Sequence, residues 1–228
     1  MRVETGRLPS DGVRRMFDRI APVYDVMNRV MTAGLDQRWR AVTVRETVRP
    51  GDRVLDACCG TGDLAVAARA AGASSVVGLD FSAAMLDRAR RKAPDVTFIE
   101  GDVLALPFHD ATFDAAVVGF GIRNVADLEA GLRELRRALR PGGRLGILEI
   151  TTPRGLLAPF YRLWFDTVVP FLGRVLPGGE AYTYLPASVR RFPAPEGLAA
   201  LFAANGFVKV RYRTFAGGIV ALHIGEAA

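Results

Sequence analysis

The sequence predicts one doubly wound α/β domain, with a mostly parallel seven-stranded sheet, a C-terminal antiparallel hairpin and helices on both faces. Five short apolar runs alternate with helical segments, which is the order expected of βαβ units. Two further strand-like runs follow near the C-terminus, separated by a glycine-rich turn. The 228 residues, half of them hydrophobic and 24% charged, suit a single globular core over residues 1–228.

The first element is a helical region from Val13 to Val48. Its apolar residues recur at intervals of three and four, the period of a helix with one buried face: Phe17, Ile20, Tyr24, Met27, Val30 and Met31. We therefore expect residues 1–48 to form an N-terminal helical cap ahead of the sheet.

The alternating part of the chain begins at Arg53. Five strands are predicted at Arg53–Ala57, Ser75–Asp80, Val96–Glu100, Phe113–Gly119 and Arg144–Ile150. The intervening helices are predicted at Asp63–Ala71, Ala83–Lys92 and Asp127–Leu139, the last closed by Pro141-Gly142-Gly143. Because crossovers between parallel strands are right-handed, these helices should cover both faces of the sheet.

An apolar insertion over residues 155–190 follows the fifth strand. Its core, Pro159–Leu172, contains Trp164 and Phe165, but charged residues and prolines interrupt it. It is therefore not the uninterrupted apolar span of about 20 residues that crosses a bilayer.

The C-terminal part completes the sheet. A helix is predicted at Pro195–Asn205, ended by Gly206, and the last two strands at Val208–Thr214 and Gly218–Ile224. The turn between these strands is Ala216-Gly217-Gly218.

Composition narrows the class of protein without selecting one. The formal net charge of +6 would suit RNA, anionic lipid or an acidic substrate, but much of the excess is arginine at helical spacing, as at Arg133 and Arg137. No basic run interleaved with aromatic residues accompanies it, so we expect no nucleic-acid partner. The adjacent Cys58 and Cys59 lack a second pair that would complete a zinc site, so no metal is expected. No secretory signal is visible at the N-terminus, which favours the cytoplasm.

The candidate ligand site lies beyond the carboxyl ends of the strands, where the strand order of an open α/β sheet reverses. Strand one leads into a turn containing Gly60 and Gly62, where backbone can approach a ligand without obstruction by a Cβ atom. Strand two ends at Asp80, whose carboxylate can accept two hydrogen bonds from a ribose diol.

Taken alone, this pattern also fits a dinucleotide-binding fingerprint. Asp63 argues against that interpretation, because it stands at the helix start where a pyrophosphate would rest, and like charges repel. S-adenosylmethionine carries a sulfonium and an ammonium group and no phosphate, so carboxylates suit it. A nicotinamide-dependent oxidoreductase is therefore disfavoured.

Further features in register support S-adenosylmethionine as the cofactor. Asp102 follows strand three, where it could accept a hydrogen bond from the adenine amino group, and Val103 could offer its backbone N–H to the ring. A helix cap or turn could explain any one of these acids, but not the whole series of a glycine turn, Asp80, Asp102 and the Pro-Gly-Gly stop. Strand four ends in Gly119-Phe120-Gly121-Ile122-Arg123-Asn124, which places polar side chains beside the cofactor.

Several motifs resemble the C-methyltransferases of menaquinone and ubiquinone biosynthesis, over nearly the full length of the chain. The resemblance is carried by Tyr24-Asp25-x-Met27-Asn28, Trp39, the Gly60-Thr61-Gly62-Asp63 turn, Phe120-Gly121-Ile122-Arg123-Asn124-Val125, Arg140-Pro141-Gly142-Gly143, Tyr182-x-Tyr184-Leu185-x-x-Ser188-Val189, Phe192-Pro193 and Ala221-Leu222-His223. The Arg-Asn and Tyr-x-Tyr-Leu blocks are much more specific to that family, whereas the glycine turn and the Pro-Gly-Gly stop are shared by many methyltransferases.

The resemblance implies a Rossmann-like class I methyltransferase, with cofactor contacts at Thr61, Asp80, Asp102 and Val103 and with Arg123 and Asn124 acting at the methyl acceptor. Two departures are visible: Cys58-Cys59 replaces a small pair common in the motif, and Asp36-Gln37-Arg38 stands where His-Arg often precedes the tryptophan. The replacement by Cys58-Cys59 should leave cofactor binding intact.

The implied acceptor is a polyprenyl quinol, methylated on a ring carbon: demethylmenaquinol, or alternatively a benzoquinol precursor of ubiquinone. Because such a substrate lives in a membrane, we expect peripheral contact at the inner face of the plasma membrane, with the segment around Phe160–Leu172 as a lid or interfacial helix. Core packing of that segment is the alternative. An RNA methyltransferase and a non-catalytic cofactor-binding scaffold are competing interpretations, and a homo-oligomer is left open.

Overall fold

A computed structural model of the protein describes residues 10–153, residue 167 and residues 179–228. Helices come first in the chain: α1 (Ser10–Ile20), a 3-10 turn at Ala21–Val23, α2 (Tyr24–Thr32) and α3 (Leu35–Thr47). The region predicted as helical from Val13 to Val48 is thus helical, but it is divided where Pro22 and the left-handed pair Ala33 and Gly34 interrupt the chain.

Seven strands form one sheet: β1 (Arg53–Ala57), β2 (Ser75–Asp80), β3 (Thr97–Glu100), β4 (Phe113–Gly119), β5 (Leu139–Ile150), β6 (Phe207–Phe215) and β7 (Val220–Ala227). Their order across the sheet is β3-β2-β1-β4-β5-β7-β6. The first five strands pair in parallel, and β7 pairs antiparallel with both β5 and β6. This confirms the predicted sheet and its terminal hairpin.

The remaining helices connect or flank the strands: α4 (Asp63–Ala70), α5 (Ala83–Lys92), a 3-10 turn at Ile122–Asn124, α6 (Leu128–Ala138), α7 (Gly179–Arg191), α8 (Pro195–Ala204) and a 3-10 turn at Ala216–Gly218. Ser82 and Asp127 cap α5 and α6 by accepting hydrogen bonds from the backbone N–H groups of Met85 and Ala130. None of the helices among the described residues is long and apolar enough to span a membrane.

Two apolar layers sandwich the sheet, as alternation along β4 shows. Ala115 and Val117 point to the layer that packs on α3, α4 and α5, whereas Ala116 and Val118 point to the layer that packs on α6 and α8. Because these strands are buried on both faces, their sequences are mainly apolar runs rather than alternating apolar and polar residues.

The largest correction to a predicted boundary is at the start of β5; β7 also differs, since it runs over Val220–Ala227 rather than the predicted Gly218–Ile224. The Pro-Gly-Gly sequence follows the end of α6 at Ala138, but β5 begins at Leu139 rather than at Arg144. Leu139 pairs with Phe113 and Arg144 with Ala115, so the residues between them form an irregularity within the strand. The predicted segment Pro159–Leu172 lies outside the described residues, except for Thr167.

Candidate active site

A cleft opens at the carboxyl ends of the central strands, where β1 is flanked by β2 on one side and β4 on the other. The space between its walls, counted together with its open mouth, is about 860 Å³. Five of the six residues predicted to bind the cofactor line it: Gly60, Thr61, Asp80, Asp102 and Val103. The sixth, Gly62, lies in the same turn but not in the wall.

The turn after β1 is built from left-handed backbone. Gly60 has φ +54° and Gly62 has φ +82°, values that glycine adopts without steric cost. The Gly60 N–H donates to Asp80 Oδ2 at 2.8 Å, so the end of β2 holds the turn in place. Beside the turn, burial raises the pKa of both the half-buried Cys58 and the buried Cys59 thiol, which disfavours the reactive thiolate form.

Asp80 is a buried carboxylate with acceptor capacity to spare. Besides Gly60, the Ser82 N–H donates to it, at 2.9 Å to Oδ1. Burial raises the pKa of Asp80 to about 6, although these backbone donors favour the charged form. Each oxygen retains a further lone pair, so an ionised Asp80 could still accept hydrogen bonds from a diol.

The far wall of the cleft is formed by the segment after β3. Asp102 is exposed and its Oδ1 accepts a hydrogen bond from Leu104 N at 2.9 Å, which orients the carboxylate. Val103 is buried and presents its apolar surface to the cleft. The pair thus offers a polar edge and an apolar face, as an adenine ring requires.

A charged network joins the glycine turn to the N-terminal helices. Thr61 Oγ1 donates to Asp25 Oδ1 at 2.5 Å, and Lys92 Nζ lies 2.7 Å from both Asp25 Oδ2 and Asp63 Oδ1. Helix α2 is thereby tied to the turn and to the end of α5, and its Tyr24 lines the cleft. Thr61 therefore contributes to the wall while its hydroxyl is engaged by the protein.

Asp63 begins α4 as predicted, and it is ionised. Burial alone would raise the pKa of Asp63, but Arg40, Lys92 and Gln37 outweigh that effect and hold the pKa below its ordinary value. A negative charge at this helix start supports the argument against a pyrophosphate-containing ligand.

Sequence reasoning missed Arg40, which reaches the cleft from α3. Its guanidinium lies 5.1 Å from the centre of the Phe120 ring, and its buried Nε has no hydrogen-bond partner in the part of the chain that the structure describes. The Asp36 and Asp63 carboxylates lie 3.7 and 3.6 Å away. The only signal in the sequence was the spacing of Asp36 and Arg40, one helical turn apart.

Asp56 is a second acid at the end of β1 that the sequence analysis did not select. Its Oδ2 accepts from Ala65 N at 2.8 Å, whereas the buried Oδ1 has no partner. Burial raises the pKa of Asp56 to about 8, against the opposing charge of Arg40. The group is therefore largely protonated at neutral pH.

The two residues predicted to act on the acceptor occupy the 3-10 turn after β4. Asn124 lines the cleft, and its buried Oδ1 accepts no hydrogen bond from residues 10–153, 167 or 179–228. Arg123 is not in the wall; it is buried beside it, where Nη1 lies 2.8 Å from Glu149 Oε1 and also donates to the Phe120 carbonyl. Glu149, the second-last residue of β5, is a further residue that the sequence analysis missed.

These groups fit S-adenosylmethionine. The carboxylates of Asp80 and Asp63 suit a ligand that carries positive charge, and the glycine turn permits close approach of a ligand. The fold and the site together define the class as an S-adenosylmethionine-dependent methyltransferase.

Comparison with known proteins is consistent with that class and gives the family. The model of the ubiE/COQ5 methyltransferase family matches residues 5–227. The chain belongs to this family, and it is an S-adenosylmethionine-dependent C-methyltransferase with a Rossmann-like fold.

Relatives named in the same pathway align over almost the whole chain. A demethylmenaquinone methyltransferase from Thermus thermophilus is 49% identical over 220 residues, which are 92% of this chain and 99% of the relative. Its counterpart from Deinococcus radiodurans is 45% identical, covering 94% of this chain and 92% of the relative. A ubiquinone/menaquinone biosynthesis C-methyltransferase from Syntrophotalea carbinolica is 43% identical, covering 95% and 94%.

Solved structures share the fold at low sequence identity. The [4+2]-cyclase SpnF superposes with a TM-score of 0.72 at 18% identity, covering 96% of each chain. A SAM-dependent methyltransferase from Thermotoga maritima gives 0.68 at 19% identity, covering 94% of this chain and 99% of its own. The first comparison shows that this fold also serves other chemistry, so the reaction must be argued from the site.

Proposed function

We propose that this enzyme transfers the methyl group of S-adenosylmethionine to a ring carbon of demethylmenaquinol, giving menaquinol. The observation that carries the proposal is the 49% identity with a demethylmenaquinone methyltransferase over 99% of that protein's length. The cleft adds support, because Asn124 lines it and Arg123 adjoins it. Both residues follow β4, which lies on the other side of β1 from β2 and β3, the strands that lead to Asp80 and Asp102.

The chemistry requires an activated ring carbon. S-adenosylmethionine, held by Asp80, Asp102 and the glycine turn, would supply an electrophilic methyl group and would leave as S-adenosylhomocysteine. The hydrogen that the methyl group replaces on the ring carbon would leave as a proton to solvent. Carbon is a poor nucleophile until the neighbouring ring hydroxyl loses its proton. Arg123 would stabilise the resulting oxyanion, and Asn124 would orient the oxygen. Arg123 is not the base, since a guanidinium stays protonated.

The cofactor roles follow the walls of the cleft. We assign Asp80 to the ribose diol, Asp102 and Val103 to the adenine, and Gly60, Thr61 and Gly62 to the turn along the methionine part. The chain is assigned one domain over 1–228, with residues 1–48 as a cap and the insertion over 155–190 covering the acceptor. Tyr24 and Phe17 in the cleft wall support the cap assignment.

A polyprenyl acceptor implies a membrane-associated enzyme in the cytoplasm. Helix α2 exposes Val26 and Val30, one turn apart and 64% and 68% accessible, with the exposed Arg29 between them. An apolar pair beside a cationic side chain suits an anionic bilayer surface. Because Tyr24 of the same helix lines the cleft, contact there would bring the cleft near the lipid.

The reaction is tested with purified protein, S-adenosylmethionine and demethylmenaquinol in detergent micelles, with mass spectrometry of the quinol. We expect a product heavier by one methyl group. A polyprenyl benzoquinol and a structured RNA are run in parallel, and preferential methylation of either would overturn the proposed acceptor. Cofactor binding with no product from any acceptor would indicate a scaffold instead.

Membrane contact is tested by flotation with anionic liposomes. The variant Val26→Asp/Val30→Asp should lose flotation, whereas Val208→Asp, at a residue on β6 that is 46% exposed, should behave as wild type. Equal flotation of all three proteins would remove α2 from the membrane contact.

A further inference from the structure

The deeply buried carboxylate of Glu149 has no part in the assignments above. It is 1% exposed and lies near the end of β5, next to the 3-10 turn that carries Arg123. A carboxylate is rarely buried to this degree unless it is paired. Its position at the carboxyl end of a central strand is the same as that of Asp56 and Asp80 on β1 and β2.

Glu149 is committed almost entirely to Arg123. Its Oε1 lies 2.8 Å from Arg123 Nη1, and its Oε2 accepts from the Arg123 backbone N–H at 3.3 Å. The Ile150 N–H completes the set, at 2.8 Å from Oε1. One carboxylate therefore fixes both the main chain and the side chain of Arg123.

The pairing leaves another part of the guanidinium without a partner. Arg123 Nη1 is used twice, by Glu149 and by the Phe120 carbonyl, whereas the buried Arg123 Nε has no hydrogen-bond partner among the described residues. An unpaired buried donor is costly, so its retention suits an acceptor supplied by a ligand.

Two neighbouring side chains also carry a buried polar atom that has no partner within the described part of the chain: Asn124 Oδ1, an acceptor, and Tyr184 Oη. Helix α7, which carries Tyr184, packs against the Arg123 turn. Burial raises the pKa of Tyr184, against the nearby charge of Arg123, so its hydroxyl is a neutral donor. Arg123 Nε and Tyr184 Oη could donate to a ligand oxygen, whereas Asn124 Oδ1 could accept from a ligand hydroxyl.

We propose that Glu149 is the positioning residue that holds Arg123 so that its unpartnered edge faces the ring oxygen of the acceptor. This inference rests on the proposed function for the identity of that acceptor. Glu149 touches neither substrate nor cofactor, so it acts only through Arg123. Its negative charge also balances the guanidinium in a site that excludes water.

The double-mutant cycle of Glu149→Gln and Arg123→Gln tests this role, with turnover and the denaturant midpoint measured for each protein. Glu149→Gln alone should lower kcat by about a hundredfold, since a small misplacement of a catalytic group has effects of that order. Its affinity for S-adenosylhomocysteine should stay at the wild-type value. The double variant should turn over no more slowly than Arg123→Gln alone.

Stability separates positioning from a merely structural role. The double variant removes both charges, so its denaturant midpoint should recover relative to Glu149→Gln while its turnover stays low. If turnover instead recovers with stability, or if the two losses in kcat multiply, Glu149 does not act through Arg123 and the proposal fails.

Two further proteins keep the test decisive. Glu149→Asp retains the charge but withdraws it by one methylene group, so it should fold and still lose at least about tenfold in kcat; wild-type kcat would overturn the proposal. Asp52→Asn breaks a buried arginine pair at the other end of β5 and should lower stability without lowering kcat per folded molecule. If the proposed acceptor is wrong, wild type itself will not turn over demethylmenaquinol, which distinguishes that failure from this one.

Discussion

Strand β5 carries a buried ion pair at each end, Arg144 with Asp52 at its start and Glu149 with Arg123 at its finish. All four side chains are less than 9% exposed, and each arginine has an unpartnered Nε. The surroundings differ. Asp52 lies away from the cleft and also accepts a hydrogen bond from the Arg49 N–H. Arg123 lies beside Asn124 and Tyr184, each of which has a buried polar atom without a partner among the described residues. The same chemical pair therefore packs away from the cleft at one end of β5 and, in our proposal, positions a catalytic group at the other.

The largest effect should come from breaking the pair at the start of β5. Asp52→Asn leaves Arg144 buried without a counter-charge, which costs about 3–5 kcal/mol. We expect that loss in the free energy of unfolding measured with urea. Equal stability of variant and wild type would show that the pair contributes nothing.

Arg123→Gln examines the other end of the strand by kinetics. Loss of a group that stabilises a developing oxyanion typically lowers kcat by about 10²–10³-fold, or about 3–4 kcal/mol. Affinity for S-adenosylmethionine, measured by calorimetry, should persist. Arg133→Gln, on the exposed face of α6, is the matched control, and unimpaired turnover of Arg123→Gln would refute the assignment.

Asp80→Asn extends the comparison to the cofactor side of the cleft. Loss of charge-assisted hydrogen bonds should weaken S-adenosylmethionine binding by about 10–100-fold, with Asp87→Asn on α5 as control. Because the pKa of Asp80 is raised to about 6, wild-type affinity should also fall as the pH drops below 6. The Asp80→Asn variant should lack that pH dependence, and a pH-independent wild type would contradict the role of the carboxylate.

The smallest effect concerns Asp56, which lies on β1 four residues after Asp52. Its folded pKa of about 8 is above the ordinary value of 3.8, so the folded state binds the proton more tightly than the unfolded state. This contribution to stability is complete below about pH 4 and is lost as the pH rises through 8. Urea midpoints between pH 5 and pH 9 should therefore decline for wild type and less so for Asp56→Asn. An equal slope would exclude Asp56 as the cause.

The fold could be predicted because its signals are local. Strands β1, β2 and β4 match their predicted bounds, since each is a continuous apolar run ended by a turn residue or an acid. The predicted start of β5 at Arg144 was wrong. Pro-Gly-Gly indicates the end of a helix, but it carries no information on the pairing of Leu139 with Phe113, a residue 26 positions earlier in the chain.

The site was predictable only in part, for the same reason. The rule that placed Asp80 at a strand end could have selected Glu149, the acid in the apolar run of β5. Arg40 had no comparable signal, because it reaches the cleft only through the packing of α3 on the sheet. The placement of Arg123 beside the wall rather than in it likewise depends on Glu149, a tertiary contact.

Phe120 belongs to both sides of the cleft. Its backbone is left-handed, at φ +60°, its ring lies under Arg40 and its carbonyl accepts from Arg123. Phe120 thus contacts both Arg40 in the cleft wall and Arg123, which is assigned to the acceptor, so occupancy of the cleft by the methyl donor should change affinity for the acceptor. Such cooperativity is reciprocal by thermodynamic necessity, and a methyl donor that improves acceptor capture would limit unproductive encounters with membrane quinols.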